Sequence, residues 1–500
     1  MGPAVEVTEP EPTALSRLDE GFGVYVVGPL AAVLFFDLAF WDNGEPDETT
    51  LPFIVVWLIL GAVFCTLRFQ FISLRGIKHA IEILRGKYDT GAADGEVTHF
   101  QALASALSAT VGLGNIAGVA LAVSAGGPGA VFWMVVAGFL GMSSKFTECT
   151  LGQMYREIDG QGRVLGGPMR YLAVGLEELG AARLGKILAV LFAIMCIGGS
   201  FGGGNMFQAN QAYVQTARVL PFFQDKAWLF GILIALLVGA VIIGGIQRIG
   251  SVAGAIVPVM CGVYLLAGCA ILIAHAAHIP EAFGKIVAEA FTPQAGLGGA
   301  LGVLVTGFKR AAFSNEAGVG SASIAHSAAS TNEPVREGLV ALLEPFIDTI
   351  IICTMTGLVV VVTGEYLNVP AGADDTLRGV TMTSNAFASV FSWFPYVLAV
   401  AVFLFAFSTM ISWSYYGERC WVFLFGKRWS MLYRVIFLAF TVLGTILNLG
   451  NVVTFSDLMI LGMAFPNILG MFLLSNRVAS KLDDYWRRYQ NGDMPVPKKA

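Results

Sequence analysis

The chain has 500 residues, of which 56% are hydrophobic and 13% charged, with 59 glycines and a net charge of −5. Soluble domains carry about 25% charged residues, so this composition excludes a water-soluble globule and places the chain in lipid. The near-neutral charge gives no reason to expect a nucleic-acid or strongly charged partner.

A helix needs about 20 apolar residues to cross the hydrocarbon. Twelve such spans are predicted at about 22–41, 51–70, 98–124, 128–152, 185–215, 228–246, 250–275, 298–320, 335–363, 394–424, 430–449 and 454–476. The first lacks a basic n-region and a small-residue cleavage site, so it reads as a span rather than a signal peptide. Arg68, Arg75, Lys78, Arg85 and Lys87 lie between the second and third spans and mark that linker as cytoplasmic by the positive-inside rule. Alternation then puts Arg156, Arg163, Arg170 and Arg183, later Arg419, Lys427 and Arg428, and finally Arg477, Lys481, Arg487 and Arg488 on the same side, whereas the outside loops 276–297 and 364–386 carry only Lys285 and Arg378. The expectation is a multi-pass protein of the plasma (cell inner) membrane with both ends cytoplasmic.

That count divides the chain into a tail 1–21, two helices and a basic linker over 22–97, five spans over 98–275, five over 298–476 and a tail 477–500. An odd number of spans inverts the second half, the layout of many secondary transporters. The seven cysteines show no C-x-x-C pair, so no zinc site or disulfide framework is indicated.

The third span carries Thr110-Val-Gly-Leu-Gly-Asn115 in its middle. Two glycines two apart, followed by asparagine, weaken the helical ladder at membrane depth, where free peptide groups persist only if they line a cavity or bind something. Amides opening the second half-helix suit a carboxylate, and carbonyls closing the first suit an ammonium or Na⁺. The same residues match G-x-G-x-x-A, but no strand precedes them and no acid follows at about 20 residues, so a dinucleotide site is excluded on context.

These residues, with Gly126-Gly-Pro-Gly-Ala-Val-Phe-Trp-Met134, Gly141-Met-Ser-Ser-Lys-Phe-Thr-Glu148, Phe313-Ser-Asn-Glu-Ala-Gly-Val-Gly-Ser321 and Ser408-Thr-Met-Ile-Ser-Trp-Ser-Tyr-Tyr-Gly-Glu418, resemble the signatures of the alanine/glycine:cation (sodium:alanine) symporters. The helix at 22–41 is additional to that family's pattern. The resemblance implies an all-α polytopic membrane protein with a leucine-transporter-like 5+5 inverted-repeat core and two additional N-terminal transmembrane helices. It implies uptake of a small neutral amino acid such as alanine or glycine coupled to an inward cation, Na⁺, with no cofactor and no enzymatic step; the alternatives are a proton-coupled amino-acid permease and an ion channel, which would need a continuous polar pore.

Carried onto this chain, the resemblance puts the substrate's carboxylate and amine at the backbone of Thr110, Gly112, Leu113 and Gly114, with Asn115 offering an oxygen to a cation. Ser408 and Thr409 would bind Na⁺ with carbonyls of Ser108, Val111 and Phe405, because a hard cation prefers oxygen. Trp413, one turn on, would close the pocket. Asn205 and Gln208 are two buried amides three apart, facing either the substrate or neighbouring helices. The sixth core helix is expected to break near Thr306 and Gly307. Lys309 and Arg310 then fall on the cytoplasmic side, gated by Asn315 and Glu316. Glu344 and Asp348, four apart, could bind the cation, carry a proton or pair with Lys309 or Arg310. Lys145 and Glu148 are expected to pair structurally, and His275 and His278 to be interfacial.

Overall fold

The computed structural model describes residues 21, 23–39, 50–88, 94–291, 297–368, 377–447 and 449–494. Nearly all of the predicted 1–21 tail, and the last six residues of the 477–500 tail, lie outside the described residues. The architecture is helical, with one two-stranded ribbon, β1 (Glu157–Ile158) and β2 (Val164–Leu165). In chain order come α1 (Gly23–Leu34), α2 (Phe53–Arg68) and the linker helix α3 (Ile77–Leu84). The bent pair α4 (His99–Thr110) and α5 (Gly114–Gly126) is followed by α6 (Gly129–Met154), α7 (Ala182–Val219), α8 (Ala227–Ile242) and α9 (Gly245–Ala274). A surface helix, α10 (Ile279–Phe291), leads to α11 (Leu297–Asn315) and α12 (Ala322–His326), then α13 (Pro334–Thr363), α14 (Met382–Ala388), α15 (Phe394–Phe425), α16 (Ser430–Ile446) and α17 (Leu449–Asn491).

Among the described residues seven helices are long and apolar enough to cross a membrane, or eight if α4 and α5, bent by 50°, form one span. Every predicted span overlaps a helix. Three of those helices, α1, α2 and α8, are shorter than a full span. Leu236, Leu266, Ile273 and Val400 remain more than half exposed, as lipid-facing side chains must, while small residues hold the helices together inside. Start signals are visible: Thr98 and Gln101 form a capping box at α4, and prolines open α13 and α15.

We call the side that carries residues 72–97 the linker face. The β1–β2 ribbon and the 327–333 turn share it, because Glu96 and Val97 amides donate to Ala328 and Arg156 reaches the carbonyls of Asp94, Ala329 and Thr331. The expected tail is helical from 477 to 491 and docks on this face, with Arg488 2.7 Å from Glu333 and Tyr485 2.7 Å from His79.

Candidate functional site

The α4–α5 break falls where the glycine pattern puts it. Val111 adopts φ −74°, ψ 82°, an inverse γ-turn closed by the Gly112 amide on the Thr110 carbonyl at 2.8 Å. The Gly112 amide also meets Asn115 Oδ1 at 2.9 Å, and the Leu113 amide meets Gln208 Oε1 at 3.1 Å. Side chains from α5 and α7 thus hold the unwound backbone open. Gly114 is needed for contact with the sixth core helix: a Cβ there would lie 3.1 Å from Ser314 Cα.

The second break differs from expectation. Thr306 and Gly307 lie inside the uninterrupted α11, where a Cβ on Gly307 would sit 2.6 Å from Trp133 Cβ and 2.8 Å from the Ala130 carbonyl. This glycine serves helix packing. The helix stops at Asn315, and the chain turns through Glu316 (φ 54°), Gly318 (φ 81°) and Gly320 (φ 98°) before α12 begins. Asn315 caps the turn by accepting the Ala317 amide at 2.9 Å and donating to Thr349 at 2.9 Å. Glu316, buried in the break, accepts from Ser321 and, at 3.0 Å, from Trp413 Nε1. Trp413 packs over Gly204, where no Cβ fits.

Lys309 and Arg310 are corrected with the break. Both precede it, on the half of the helix away from the linker face, and both pair with Asp457 of α17, at 2.9 and 2.7 Å. Asn315 and Glu316 are not their partners. Glu344 and Asp348 do not pair with them either. Glu344 meets Lys145 at 3.2 Å and His326 at 2.5 Å. Asp348 faces the breaks: its carboxylate receives Asn115 Nδ2 at 2.5 Å, Ser314 Oγ at 3.0 Å and Thr349 Oγ1 at 2.7 Å.

The two amides of α7 separate. Gln208 braces Leu113, whereas Asn205 Nδ2 donates to the Phe437 carbonyl of α16 at 2.6 Å. The cause is local: Gly202–Met206 is a π-turn, whose wider pitch takes residues three apart off a common face. Asn205 Nδ2 is thus a helix-to-helix contact, while its buried Oδ1 has no partner among the described residues.

The α4–α15 contact brings together the remaining candidates. Ser408 Oγ lies 3.0 Å from the Phe405 carbonyl and 3.5 Å from that of Ser108, and Ser108 Oγ donates to the Ser408 carbonyl at 2.6 Å. Thr409 Oγ1 is buried, has no hydrogen-bond partner among the described residues, and points at Gly112, where a Cβ would collide with it. Ser73, Ser105, Ser143 and Tyr416 also bury hydroxyls without a partner among the described residues; Thr409 differs in facing the unwound Gly112, and helical threonines ordinarily bond the preceding turn. Ser314 and Asp457 are not among the residues the sequence reading singles out. An aspartate within an apolar span was the available signal for Asp457.

A model of the sodium:alanine symporter family matches residues 45–499. The chain is 41% identical to the sodium/alanine symporter AgcS of Methanococcus maripaludis over 431 residues, 86% of this chain and 93% of that one. It is 33% identical to the probable sodium/glutamine symporter GlnT of Bacillus subtilis, covering 89% of this chain and 90% of that one. A solved structure of MhsT in complex with L-phenylalanine superposes with a TM-score of 0.52 at 13% identity, over 76% of this chain and 98% of that one, which places the fold among leucine-transporter-like proteins. The chain is thus a transporter rather than an enzyme, a Na⁺-coupled amino-acid symporter that belongs to the sodium:alanine symporter family.

Proposed function

We propose that the chain carries alanine or glycine together with Na⁺ by alternating access, across the plasma membrane and towards the linker face. That face, with both chain ends, is read as cytoplasmic because it holds the basic loops. In this reading 98–275 and 298–476 are two inverted five-helix repeats behind two extra N-terminal helices, each repeat opening with a broken helix.

The observation that carries the proposal is Thr409 Oγ1, buried without a partner beside the unwound α4–α5 backbone. A Na⁺ held by this hydroxyl, Ser408 Oγ and the carbonyls of Ser108, Val111 and Phe405 satisfies it with hard oxygen ligands. A second cation position suits Ser314 Oγ and the Asp348 carboxylate between the two breaks; Asn115, which here donates Nδ2 to Asp348 and accepts the Gly112 amide on Oδ1, joins it only if its amide turns. The amino acid's carboxylate would take the amides of the Leu113–Gly114 turn, with Gln208 giving way or turning to share it. Its amine would take carbonyls at the same level. Trp413, Phe207 and Phe313 pack beside the α7 π-turn, and in this reading they border the cargo's side chain and favour a small one. Lys309 and Arg310 on Asp457 form the closure on the opposite face.

The test is uptake of labelled alanine into proteoliposomes under an imposed Na⁺ or H⁺ gradient, with glycine and glutamine as competitors. Uptake should follow Na⁺ and be blocked by glycine. Thr409→Ala should raise the Na⁺ concentration for half-maximal uptake at least ~10-fold, equivalent to about 1.4 kcal/mol, with Thr409→Ser near wild type. Uptake that ignores Na⁺, or an unchanged Na⁺ requirement in Thr409→Ala, overturns the assignment.

A further inference from the structure

Below the breaks, towards the linker face, lies a chain of buried ionisable groups that the transport reading does not use. His99, at the first turn of α4, contacts Glu337 of α13 through Nδ1. The other Glu337 oxygen lies 2.6 Å from His326 Nδ1, and His326 Nε2 lies 2.5 Å from Glu344 Oε1. The second Glu344 oxygen meets Lys145 Nζ at 3.2 Å, and Lys145 lies 3.6 Å from Glu148 of α6. Glu148 in turn accepts Asn467 Nδ2 of α17 at 3.0 Å. Glu337, His326, Glu344, Lys145 and Glu148 are all at 0% exposure, and His99 is at 4%.

The geometry at His326 counts protons. Each ring nitrogen faces a carboxylate oxygen, and each contact is a hydrogen bond only if a hydrogen lies between. A neutral imidazole between two carboxylates has one hydrogen for two contacts, so the Glu337–His326–Glu344 bridge holds one proton more than that. The charge tally agrees. Four buried carboxylates (Glu148, Glu316, Glu337 and Glu344) share two fixed cations, Lys145 and Arg156, so a proton held on the bridge lowers the net negative charge of groups removed from water.

Charged and titratable groups face the cluster from each packed element, including Arg156, which lies on the Ser327 and Ala329 carbonyls near Glu337, and Glu316 of the second break, near Lys145. From α4 comes His99; from α6 come Lys145, Glu148 and Cys149, whose thiol lies within 4.8 Å of the His326 and Glu344 donor atoms; from α13 come Glu337 and Glu344. From α15 comes Tyr416, whose buried hydroxyl has no partner among the described residues. Cysteine, histidine and glutamate together invite a metal reading. Both imidazole nitrogens are already engaged, and the Lys145 ammonium occupies the remaining side of Glu344, so the cluster suits a proton rather than a divalent ion.

We propose that the Glu337–His326–Glu344 bridge is a proton-binding site that latches the linker-face halves of α4, α12 and α13 together. His99, the one member of the chain not at 0% exposure, lies on Glu337 at the first turn of α4, the end of the chain from which we take the proton to exchange with water. With the proton bound, both contacts are made: Glu337 COO⁻···H–Nδ1 and Nε2–H···⁻OOC Glu344. When it leaves by way of His99 to water, one nitrogen lone pair faces a carboxylate with nothing between, and α12 separates from α13. Cytoplasmic pH then sets how readily the site opens to that side, independently of which amino acid or cation is carried.

Cys149 is a built-in reporter, since it is buried beside the bridge. In full-length protein with the other six cysteines replaced by alanine, its rate of modification by a small water-soluble methanethiosulfonate is measured from pH 6 to 9. Each rate is divided by that of a Gly160→Cys reference on the exposed β1–β2 turn, which removes the intrinsic pH dependence of thiol reactivity. The expected ratio rises at least ~10-fold from pH 6 to 9 in the wild-type background. His326→Gln should give a high ratio independent of pH, and Glu337→Gln a reduced pH step. A flat ratio in the wild-type background overturns the latch without any variant having to fold. A step of wild-type size in a His326→Gln protein that melts cooperatively overturns it also. The readout needs no transport, so its failure is distinct from failure of the symport reading.

Discussion

The two helix interruptions solve the same problem with opposite chemistry. At the α4–α5 break every backbone angle stays in ordinary territory, and the freed amides are held by side chains reaching in from elsewhere, Asn115 and Gln208. At the α11–α12 break the backbone itself does the turning, with three residues at positive φ between Glu316 and Gly320. The first break is built to release its polar groups to something else, because a side-chain brace can rotate away. The second is a fixed corner around which Glu316, Ser321 and Trp413 are assembled.

Alanine substitutions separate a corner from a brace most sharply. Gly320→Ala should have the largest effect: φ is 98°, and the new methyl would lie 2.8 Å from Pro168 Cγ and 2.9 Å from Asn467 Cγ. Left-handed strain at a non-glycine residue costs about 1–3 kcal/mol before the overlap is counted. Loss of monodisperse protein, or a clearly lowered melting temperature, is expected, with Gly302→Ala as a silent control because nothing lies within 4 Å of its Cβ. A Gly320→Ala protein that melts like wild type would mean the corner is not fixed.

Gly112→Ala tests the other side. Its methyl meets only the side-chain atoms Thr409 Oγ1 and Gln208 Oε1, which can move, so the protein should fold and melt within a few degrees of wild type. Na⁺-driven alanine uptake should nevertheless fall below about 5% of wild type, because the methyl displaces Thr409 Oγ1 from the proposed Na⁺ site. Near-normal uptake would remove the cation from this break.

The same contrast explains what could be read from the residues alone. The α4–α5 break was legible because its glycines are adjacent to the chemistry, in a span with no other use for them. The α11–α12 break was placed about ten residues early because Thr306-Gly307 looks like a break and is a packing contact against α6. The glycines that turn the backbone, Gly318 and Gly320, sat in a motif whose acid drew attention instead. Span order and the basic loops carried the fold, since lipid imposes both. The pairing of Lys309 and Arg310 with Asp457, and of Glu344 with Lys145, is not legible, because contact between helices more than a hundred residues apart leaves no mark on local pattern.

A smaller effect separates the two amides of α7. Gln208→Ala removes the brace on Leu113 and leaves its amide unpaired until the cargo carboxylate takes it, a cost of about 1–3 kcal/mol to the empty site that should appear as a lowered alanine KM, roughly 10-fold. Asn205→Ala breaks only the contact with Phe437 and should lower the melting temperature while leaving KM unchanged. Equal KM effects from both would return Asn205 to the site.

The least effect is expected outside the membrane, where α17 docks on the linker. His79 is buried against Tyr88, Tyr485 and Tyr489 and bonds Tyr485 at 2.7 Å, and burial holds its pKa below the ordinary value of about 6.5 despite Glu82 nearby. Because the undocked form binds the proton more readily, docking is at full strength above about pH 6.5 and weakens as pH falls through the lowered folded value. Hydrogen exchange of residues 477–491 should therefore quicken at pH 5 relative to pH 7.5, beyond the intrinsic pH dependence of exchange. His79→Gln, which cannot take up the proton, should remove that difference. If the variant keeps it, docking is governed by the charges of Arg488, Glu333 and Asp484 instead, and their salt dependence would show it.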